Sequence, residues 1–132
     1  MAGTIVADTL QDGAGNSTAM DNAIYGSAKA WVNFNGTPSS PTIRASYNVS
    51  SVTKVTTGQY QVNFTNAFID TNYSSVGTCG IYNGTDGSTQ WGIKMMFNTL
   101  AAYTTTSMQF SVNNMSSGAN ADTSLLCASF YR

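Results

Sequence analysis

Few residues of this chain could transfer protons or bind a catalytic metal. Its 132 residues include six acidic residues and two Cys, but no His, and every acidic residue is Asp. Nucleophile systems of the Ser-His-Asp and Cys-His kinds need an imidazole to accept the proton, so both are excluded. Zinc sites built on His, or on four Cys, are excluded because the ligands are missing. The sequence therefore predicts no metal and no cofactor, and leaves an Asp pair as the one catalytic arrangement still open.

The aspartates are more typical of turns than of a catalytic site. Two carboxyl groups could in principle hydrolyse a glycosidic bond. Each Asp lies in a predicted loop or beside Gly, Asn or Thr, where Asp caps turns, and none has the apolar surroundings that a catalytic acid needs. The six are Asp8, Asp12, Asp21, Asp70, Asp86 and Asp122. We therefore expect no enzymatic activity; the enzymatic alternative is an Asp-dependent glycosidase, with Asp86 as its most exposed candidate.

Aromatic and amide side chains in loops form the second group of candidate functional residues. The segment from Tyr82 to Trp91 contains two Gly, an Asn and an Asp within six residues, which predicts an exposed loop tip. Aromatic faces stack and amides orient hydroxyls, so such loops suit contact with a saccharide or a protein surface. The receptor-contact candidates are Tyr82, Asn83, Thr85, Asp86, Trp91 and Tyr103. The alternative for Tyr82 and Trp91 is burial in the core or in a subunit seam.

The composition excludes two classes of partner. Only 8% of the residues are charged, against about a quarter in an average soluble domain, and Ser, Thr and Asn make up more than a third of the chain. The net charge is −1 and the basic residues are scattered, so we expect no nucleic-acid partner. No apolar run has the length of a membrane-spanning helix, and residues 1–6 do not resemble a signal peptide, so we expect no membrane insertion.

Alternating side chains predict the strands that must hold these loops. In residues 28–35 every second side chain is apolar, which is the pattern of a half-buried strand. The alternation recurs in residues 60–65, 108–112 and 126–130, and Gly58 is expected at a positive φ in a hairpin. A further strand is expected to place on one face Ile43, Ala45, Tyr47 and Val49. Seven to nine short strands without a long helix predict an all-β fold, an antiparallel β-sandwich.

One strand face carries a residue that is rarely left to water. Trp31 lies among uncharged amides, on the face opposite Ala30 and Val32, so we expect this face to meet another surface. Closed rotational symmetry would cover it, together with exposed strand edges. The predicted trimer-seam residues are Trp31, Asn33 and Ile5. The alternative for Trp31 is a strand that is buried on both faces within one subunit.

The chain divides into an N-terminal arm or attachment segment, residues 1–27, and a β-sandwich domain, residues 28–132. Within the arm, residues 12–17 predict a plain turn, because an EF-hand loop needs a Glu that the chain lacks. Cys79 and Cys127 fall on predicted strands, and a chain without a secretion signal favours free thiols. The sequence alone also permits a disulfide between these two cysteines.

Three phrases of the sequence resemble the C-terminal domain found in many tail fibre proteins of tailed bacteriophages. They are AKAWVNFNG, TIRASYNVSSV and YQVNFT, in the order that the family has them, after a segment similar to TLQDGAGNSTAMDNAIYGS. The resemblance covers residues 8–76 well, and the remainder only in its alternating strands and its aromatic-basic C-terminus. It carries over no catalytic residue.

The resemblance implies a virion structural protein, assembled in the host cytoplasm as a homotrimer. Its exposed end would be a tail fibre or spike tip that contacts a host surface glycan or protein, and other virion proteins of the tail or capsid would be partners. Because the sequence shows no fibre shaft, a trimeric capsid decoration, or head spike, is an alternative within the same class. A soluble carbohydrate-binding module, which need not form trimers, is the alternative from another class.

Overall fold

The computed structural model describes residues 3, 6–81, 91–94 and 103–132, and of Trp91 and Lys94 the backbone alone. These residues form ten strands and one helix. The elements are β1 (Thr9–Gln11), β2 (Ser17–Ala19), α1 (Met20–Gly26), β3 (Ala28–Asn35), β4 (Thr42–Tyr47), β5 (Val49–Thr56), β6 (Gln59–Phe64), β7 (Ser74–Gly80), β8 (Trp91–Lys94), β9 (Ser107–Asn114) and β10 (Leu125–Tyr131). Ile5, one of the predicted trimer-seam residues, lies outside the described residues.

Eight of these strands form two antiparallel sheets, and β1 and β2 form a separate hairpin. The first sheet has the strand order β4-β3-β10-β7, and the second has the order β5-β6-β9-β8. Every strand pair is antiparallel. The prediction of an all-β antiparallel sandwich is therefore confirmed, and the eight sandwich strands lie within the expected range.

The two sheets share one apolar interior built from the alternating residues. The inward side chains that are fully buried include Ala30, Val32, Phe34, Tyr60, Val62, Met108, Phe110, Val112, Leu126, Ala128 and Phe130. Aromatic rings meet across the interior: Phe34 and Tyr60 have ring centroids 5.4 Å apart, and Phe64 and Phe130 have centroids 5.0 Å apart. Full burial of such a side chain contributes about 1.5–3 kcal/mol. The alternation predicted for β3, β6, β9 and β10 is confirmed.

The predicted alternation is wrong in β4, because of a β-bulge. Asn33 pairs with Ala45, and the next residue of β3 pairs with Ile43, so Arg44 is an extra residue in β4. An extra residue reverses the in-and-out pattern beyond it. Ile43 therefore packs against the core, whereas Ala45 and Tyr47 are exposed on the outer face.

The two cysteines lie on opposite faces of the first sheet and are free thiols. Cys79 is paired with Leu126, which is buried in the core, and Cys127 is paired with Thr78 on the outer face. Two side chains that point to opposite faces of a sheet cannot meet the geometry of a disulfide bond. Burial raises the pKa of the Cys79 thiol, so this side chain stays protonated and packs as a small apolar group.

The sandwich has two different ends, which β3 separates by about 25 Å at 3.3 Å for each residue. At the proximal end, Ser27 joins α1 to β3, and the C-terminal Arg132 forms an ion pair with Asp70. At the distal end, β7 finishes and β8 begins. Three connections meet at the distal end: residues 36–41, 57–58 and 115–124.

Asn48 turns the chain from the first sheet to the second at the proximal end. It has a φ of 53°, a left-handed conformation that costs most residues about 1–2 kcal/mol and that Asn tolerates better. Its side chain also holds neighbouring segments together. Nδ2 donates to the carbonyl oxygens of Lys29 at 3.1 Å and Asn66 at 3.2 Å, and Oδ1 accepts from the Asn66 amide at 2.8 Å.

We predict that Asn48→Ala lowers the free energy of unfolding by about 2–4 kcal/mol, because it combines left-handed strain with the loss of these hydrogen bonds. Asn48→Gly loses the hydrogen bonds but relieves the strain, so it should cost about 1 kcal/mol less than Ala. Urea unfolding of the three proteins at one pH measures both differences. A Gly variant that is no more stable than the Ala variant would show that the backbone conformation is unimportant here.

Candidate functional site

Asp122 connects three elements at the distal end. Its Oδ2 lies 2.6 Å from Lys54 Nζ of β5, and its Oδ1 accepts from the Gly58 amide at 2.8 Å and from the Tyr60 hydroxyl at 2.7 Å. The Lys54 and Asp122 side chains are only 15% and 23% exposed. Hydrogen bonds of this charge-assisted kind are stronger than neutral ones. They fix the connection between β9 and β10 against the hairpin of β5 and β6.

Thr123, the next residue, fixes the ends of two strands of the first sheet. Its carbonyl oxygen accepts from the Gly36 amide at 3.0 Å, and its hydroxyl donates to the Gly80 carbonyl. Gly80 is the last residue of β7, where the segment with the receptor-contact candidates begins. Thr123 therefore holds the C-terminal end of β7 in place.

Gly58 is required at the tip of the hairpin. Its φ is +65°, and a Cβ atom would lie 2.5 Å from the Ala121 amide nitrogen. The predicted positive φ is confirmed. Close backbone approach, as well as the turn itself, therefore demands glycine here.

The protonation states at Asp122 favour a structural role. Burial raises the pKa of the Asp122 carboxyl, but hydrogen bonds from Lys54, Gly58 and Tyr60 outweigh burial and hold the pKa below its usual range. Burial, together with the hydrogen bond to Asp122, raises the pKa of Tyr60 far above its usual value. At neutral pH, Asp122 is therefore charged and Tyr60 is protonated, which is the arrangement in which Tyr60 donates.

A cleft of about 280 Å³ lies beside this network at the distal end. Its lining residues are Gly92, Ile93, Asn113, Met115 and Gly118. Gly92 follows Trp91 directly, so the cleft adjoins the end of the predicted receptor-contact segment. A Cβ atom at Gly92 would lie 3.1 Å from Met115 Cγ, so glycine keeps the cleft open on this side.

One residue that lines the cleft has a buried acceptor that lacks a donor. Asn113 is 8% exposed, and its Nδ2 donates to Gly118 O at 3.1 Å and to Asn120 Oδ1 at 2.9 Å. Its Oδ1 is buried without a hydrogen-bond partner. Such an atom costs about 1–3 kcal/mol. The oxygen has almost no exposed surface, so a ligand hydroxyl or amide would remove the cost only by displacing the groups that cover it.

The outer face of the first sheet is the second candidate surface. Tyr47, Trp31, Ser129 and Val76 lie in one register row across its four strands. The three large side chains of the row are 59%, 39% and 55% exposed for Tyr47, Trp31 and Val76. Asn33 lies on the same face, where its Oδ1 accepts from Arg44 at 3.2 Å. Trp31 thus faces outward as expected, and its place in a trimer seam stays a prediction.

The structure separates the receptor-contact candidates into two places. Tyr82, Asn83, Thr85 and Asp86 lie outside the described residues, and Trp91 begins β8 at the distal end. Tyr103 instead lies at the proximal end, next to the start of β9. Its ring is 5.2 Å from that of Tyr73 and its hydroxyl is 2.6 Å from Ser75 Oγ. The ring and the hydroxyl of Tyr103 thus both make internal contacts, and its contact with a receptor stays a prediction.

Sequence reasoning missed Asn113 and the roles of Asp122 and Thr123. The sequence places Asn113 and Asp122 at the two ends of one predicted polar loop, whereas the structure has Asn113 in β9, and nothing in the pattern identifies a partner for either residue. The Lys54 side chain lies 68 positions before Asp122. The available signal was a Lys at a strand position of a chain with few charges, since a partly buried Lys usually needs an acidic partner.

Two other described acids, Asp12 and Asp70, hold a turn and the C-terminal residue, respectively. Asp12 Oδ1 accepts from the amides of Ala14 and Asn16, both at 2.9 Å, which confirms the predicted turn. Hydrogen bonds from Asn16 and Arg132 lower the pKa of Asp12 and of Asp70, respectively. Among the residues that the structure describes, no cluster of acids or Cys could hold a metal ion. Over the same residues, no helix has the length and apolarity to span a membrane.

Comparison with known proteins gives one similarity of fold. The sequence matches no family model and no curated protein. The structure is similar to the crystal structure of the phiAB6 tailspike in complex with three-repeated oligosaccharides of Acinetobacter baumannii surface polysaccharide. The TM-score is 0.51 with 16% sequence identity, over 93% of this chain and 22% of the tailspike chain. This chain thus spans about a fifth of the tailspike, and the likeness is one of fold.

We predict that acid destabilises the protein partly through Asp122. A carboxyl whose pKa is lowered by folding adds stability that is present above its unfolded pKa, about 3.9, and is lost as the pH falls through the folded value. Asp122→Asn should therefore cost about 2 kcal/mol at pH 7 and much less below about pH 3. Urea unfolding of both proteins between these pH values measures the change.

Asp70→Asn is the matched control, because its ion pair with Arg132 is exposed. Exposed ion pairs contribute little to stability, so the control should cost less than Asp122→Asn at pH 7. An Asp122→Asn deficit that stays constant from pH 7 to pH 3 would contradict the assignment of the pH dependence to this carboxyl.

Proposed function

We propose that this chain is the tip domain of a trimeric tail fibre or spike of a tailed bacteriophage, and that its distal end binds a saccharide of the host surface. One observation carries the proposal: Asn113, whose buried Oδ1 lacks a donor, lines a cleft at the end of the sandwich opposite α1. The proximal end, where the N-terminal segment enters, would face the rest of the particle.

The chemistry of the cleft suits a neutral sugar. Met115 offers apolar surface to a ring face, whereas Ile93 packs against the core. A hydroxyl or an acetamido N–H would satisfy the Asn113 acceptor once the groups that cover it move. The cleft is small and has no charged residue in its described lining, so a neutral ligand needs no counter-ion there. The phiAB6 tailspike, which shares the fold, was crystallised with oligosaccharides of a bacterial surface polysaccharide. That protein supports the choice of a glycan over a protein receptor.

The proposed activity is binding without catalysis. Glycoside hydrolysis needs two carboxyl groups roughly 5–10 Å apart across the scissile bond. Asp122 is engaged with Lys54, and Asp70 is engaged with Arg132 at the other end of the sandwich. Neither carboxyl group is therefore positioned as one of two catalytic acids beside a substrate. A fibre tip that only adheres would need none.

Immunogold electron microscopy of the parent phage tests the location. We expect antibody against this chain to label the free end of a tail fibre or spike, because the distal end is proposed to be exposed. Label spread over the capsid surface would contradict the tail assignment and would favour the head-decoration alternative. Mass spectrometry of purified particles provides the control that the chain is present.

Competition for adsorption tests the distal site. Purified chain should slow adsorption of the parent phage to its host, and Met115→Glu should reduce this effect at least tenfold by placing a charge over the cleft. Met115 is 62% exposed, so the substitution should leave folding intact. Ile69→Glu, at the proximal end and 87% exposed, is the matched control and should compete normally. Equal competition by both variants would exclude the cleft as the receptor site.

A further inference from the structure

The N-terminal unit, residues 6–26, lacks an interior of its own. It consists of β1, β2 and α1, and no residue in it is buried. Large apolar side chains are exposed before β1, on β1 and on α1. These are Val6, Leu10, Ile24 and Tyr25. The unit therefore presents apolar surface without covering it.

Its size makes this surface significant. Each strand has three residues and the helix has seven. A lone two-stranded hairpin is marginally stable in water, and so is an isolated helix shorter than about 12 residues. The local contacts are polar: Asp12 closes the turn, and the Met20 amide donates to the Asp8 carbonyl at 2.8 Å. A unit of this kind needs a second surface to pack against.

The N-terminal unit cannot pack on the outer face of the first sheet of its own subunit. Ser27 alone separates Gly26, the end of α1, from Ala28, the start of β3. One residue spans at most about 3.6 Å, so the unit stays beyond the end of the strand. There, Lys29 Nζ donates to the carbonyl oxygen of Ile24. The apolar side chains must therefore be covered by another molecule.

The outer face of the first sheet is the surface that remains uncovered. It carries the row of Tyr47, Trp31 and Val76. The second sheet differs, because several amides on its outer face are hydrogen-bonded to one another. Gln109 Nε2 donates to Gln61 Oε1 at 2.7 Å, and Gln61 Nε2 donates to Asn63 Oδ1 at 2.6 Å. Among the residues that the structure describes, the first sheet therefore offers the apolar row that matches the N-terminal unit.

The charges of the two regions are also complementary. Residues 1–27 contain three Asp and no Lys or Arg, so their net side-chain charge is −3. Residues 28–132 contain five basic residues and three Asp, which gives +2. Lys29 belongs to the outward set of β3, as does Trp31. Attraction between an acidic unit and a basic body favours contact between copies of the chain.

We propose that the N-terminal unit of one subunit packs onto the outer face of the β4-β3-β10-β7 sheet of a second copy of this chain. The contact is head-to-tail, because each subunit donates its unit and accepts another on a different surface. Three such contacts close a ring. The number three rests on the proposed function, whereas the pairing of the unit with the face does not.

Two full-length variants separate the two sides of the contact. The unit variant combines Leu10→Asp with Ile24→Asp, and the face variant combines Tyr47→Asp with Val76→Asp. All four side chains are at least 45% exposed, and circular dichroism checks that each variant folds. Val55→Asp is the matched control, since Val55 is 51% exposed and lies outside both surfaces.

Sedimentation velocity at micromolar concentration measures the oligomeric state of each protein. We expect the wild type and Val55→Asp to be trimers, and each double variant to be a monomer, with association weakened at least tenfold. An equimolar mixture of the unit and face variants should form a heterodimer, because one donor and one acceptor surface remain intact in the pair.

Four outcomes would overturn the inference. A monomeric wild type removes the contact between copies. A mixture that stays monomeric shows that the two surfaces do not meet each other. A trimeric unit variant with a monomeric face variant assigns the seam to the sheet faces alone, and leaves the proposed function standing. A trimeric unit variant that is missing from phage particles assigns the N-terminal unit to a different virion protein.

Discussion

The structure depends on the burial of aromatic side chains between two sheets that the chain visits alternately. Phe34 of β3 lies between Tyr60 of β6 and Phe110 of β9, with ring centroids 5.4 Å and 6.2 Å away. These residues are far apart in sequence, so the interior forms only when both sheets are in place. The connections at the two ends must therefore carry the chain from one sheet to the other, and Asn48 and Asp122 are the residues that hold such connections.

Polar groups are used sparingly and at the edges of this interior. Tyr60 illustrates the point: its ring is in the core, while its hydroxyl donates to Asp122 at 2.7 Å. A buried hydroxyl without a partner would cost as much as the ring contributes. Asp122 in turn is held charged by Lys54. One ion pair thus allows an aromatic side chain to extend from the core to the distal loops, and it sets the framework around the cleft.

The outer surfaces of the two sheets have different chemistry. The amides of the second sheet are hydrogen-bonded to one another, whereas the first sheet exposes Trp31, Tyr47 and Val76. Exposed apolar groups in a row are typical of a surface that another molecule covers. The division fits the two proposals, in which the first sheet associates with another copy of the chain and the distal end recognises the host surface.

The sequence by itself determined the strands, their inward residues and the turn at Gly58, because those features depend on period-2 alternation and on local φ preferences. It also excluded catalysis by an imidazole and zinc sites built on His or on four Cys, because counting residues is enough to show that the required side chains are missing. The tertiary structure decided which face Ala45 and Tyr47 occupy, because one bulged residue, Arg44, reverses the alternation. The sequence pattern does not reveal this bulge. It also decided that Cys79 and Cys127 lie on opposite faces, and that Asp122 reaches Lys54 while Asn113 Oδ1 reaches no donor. Such contacts join residues that are remote in sequence, so they exist only once the two sheets have packed.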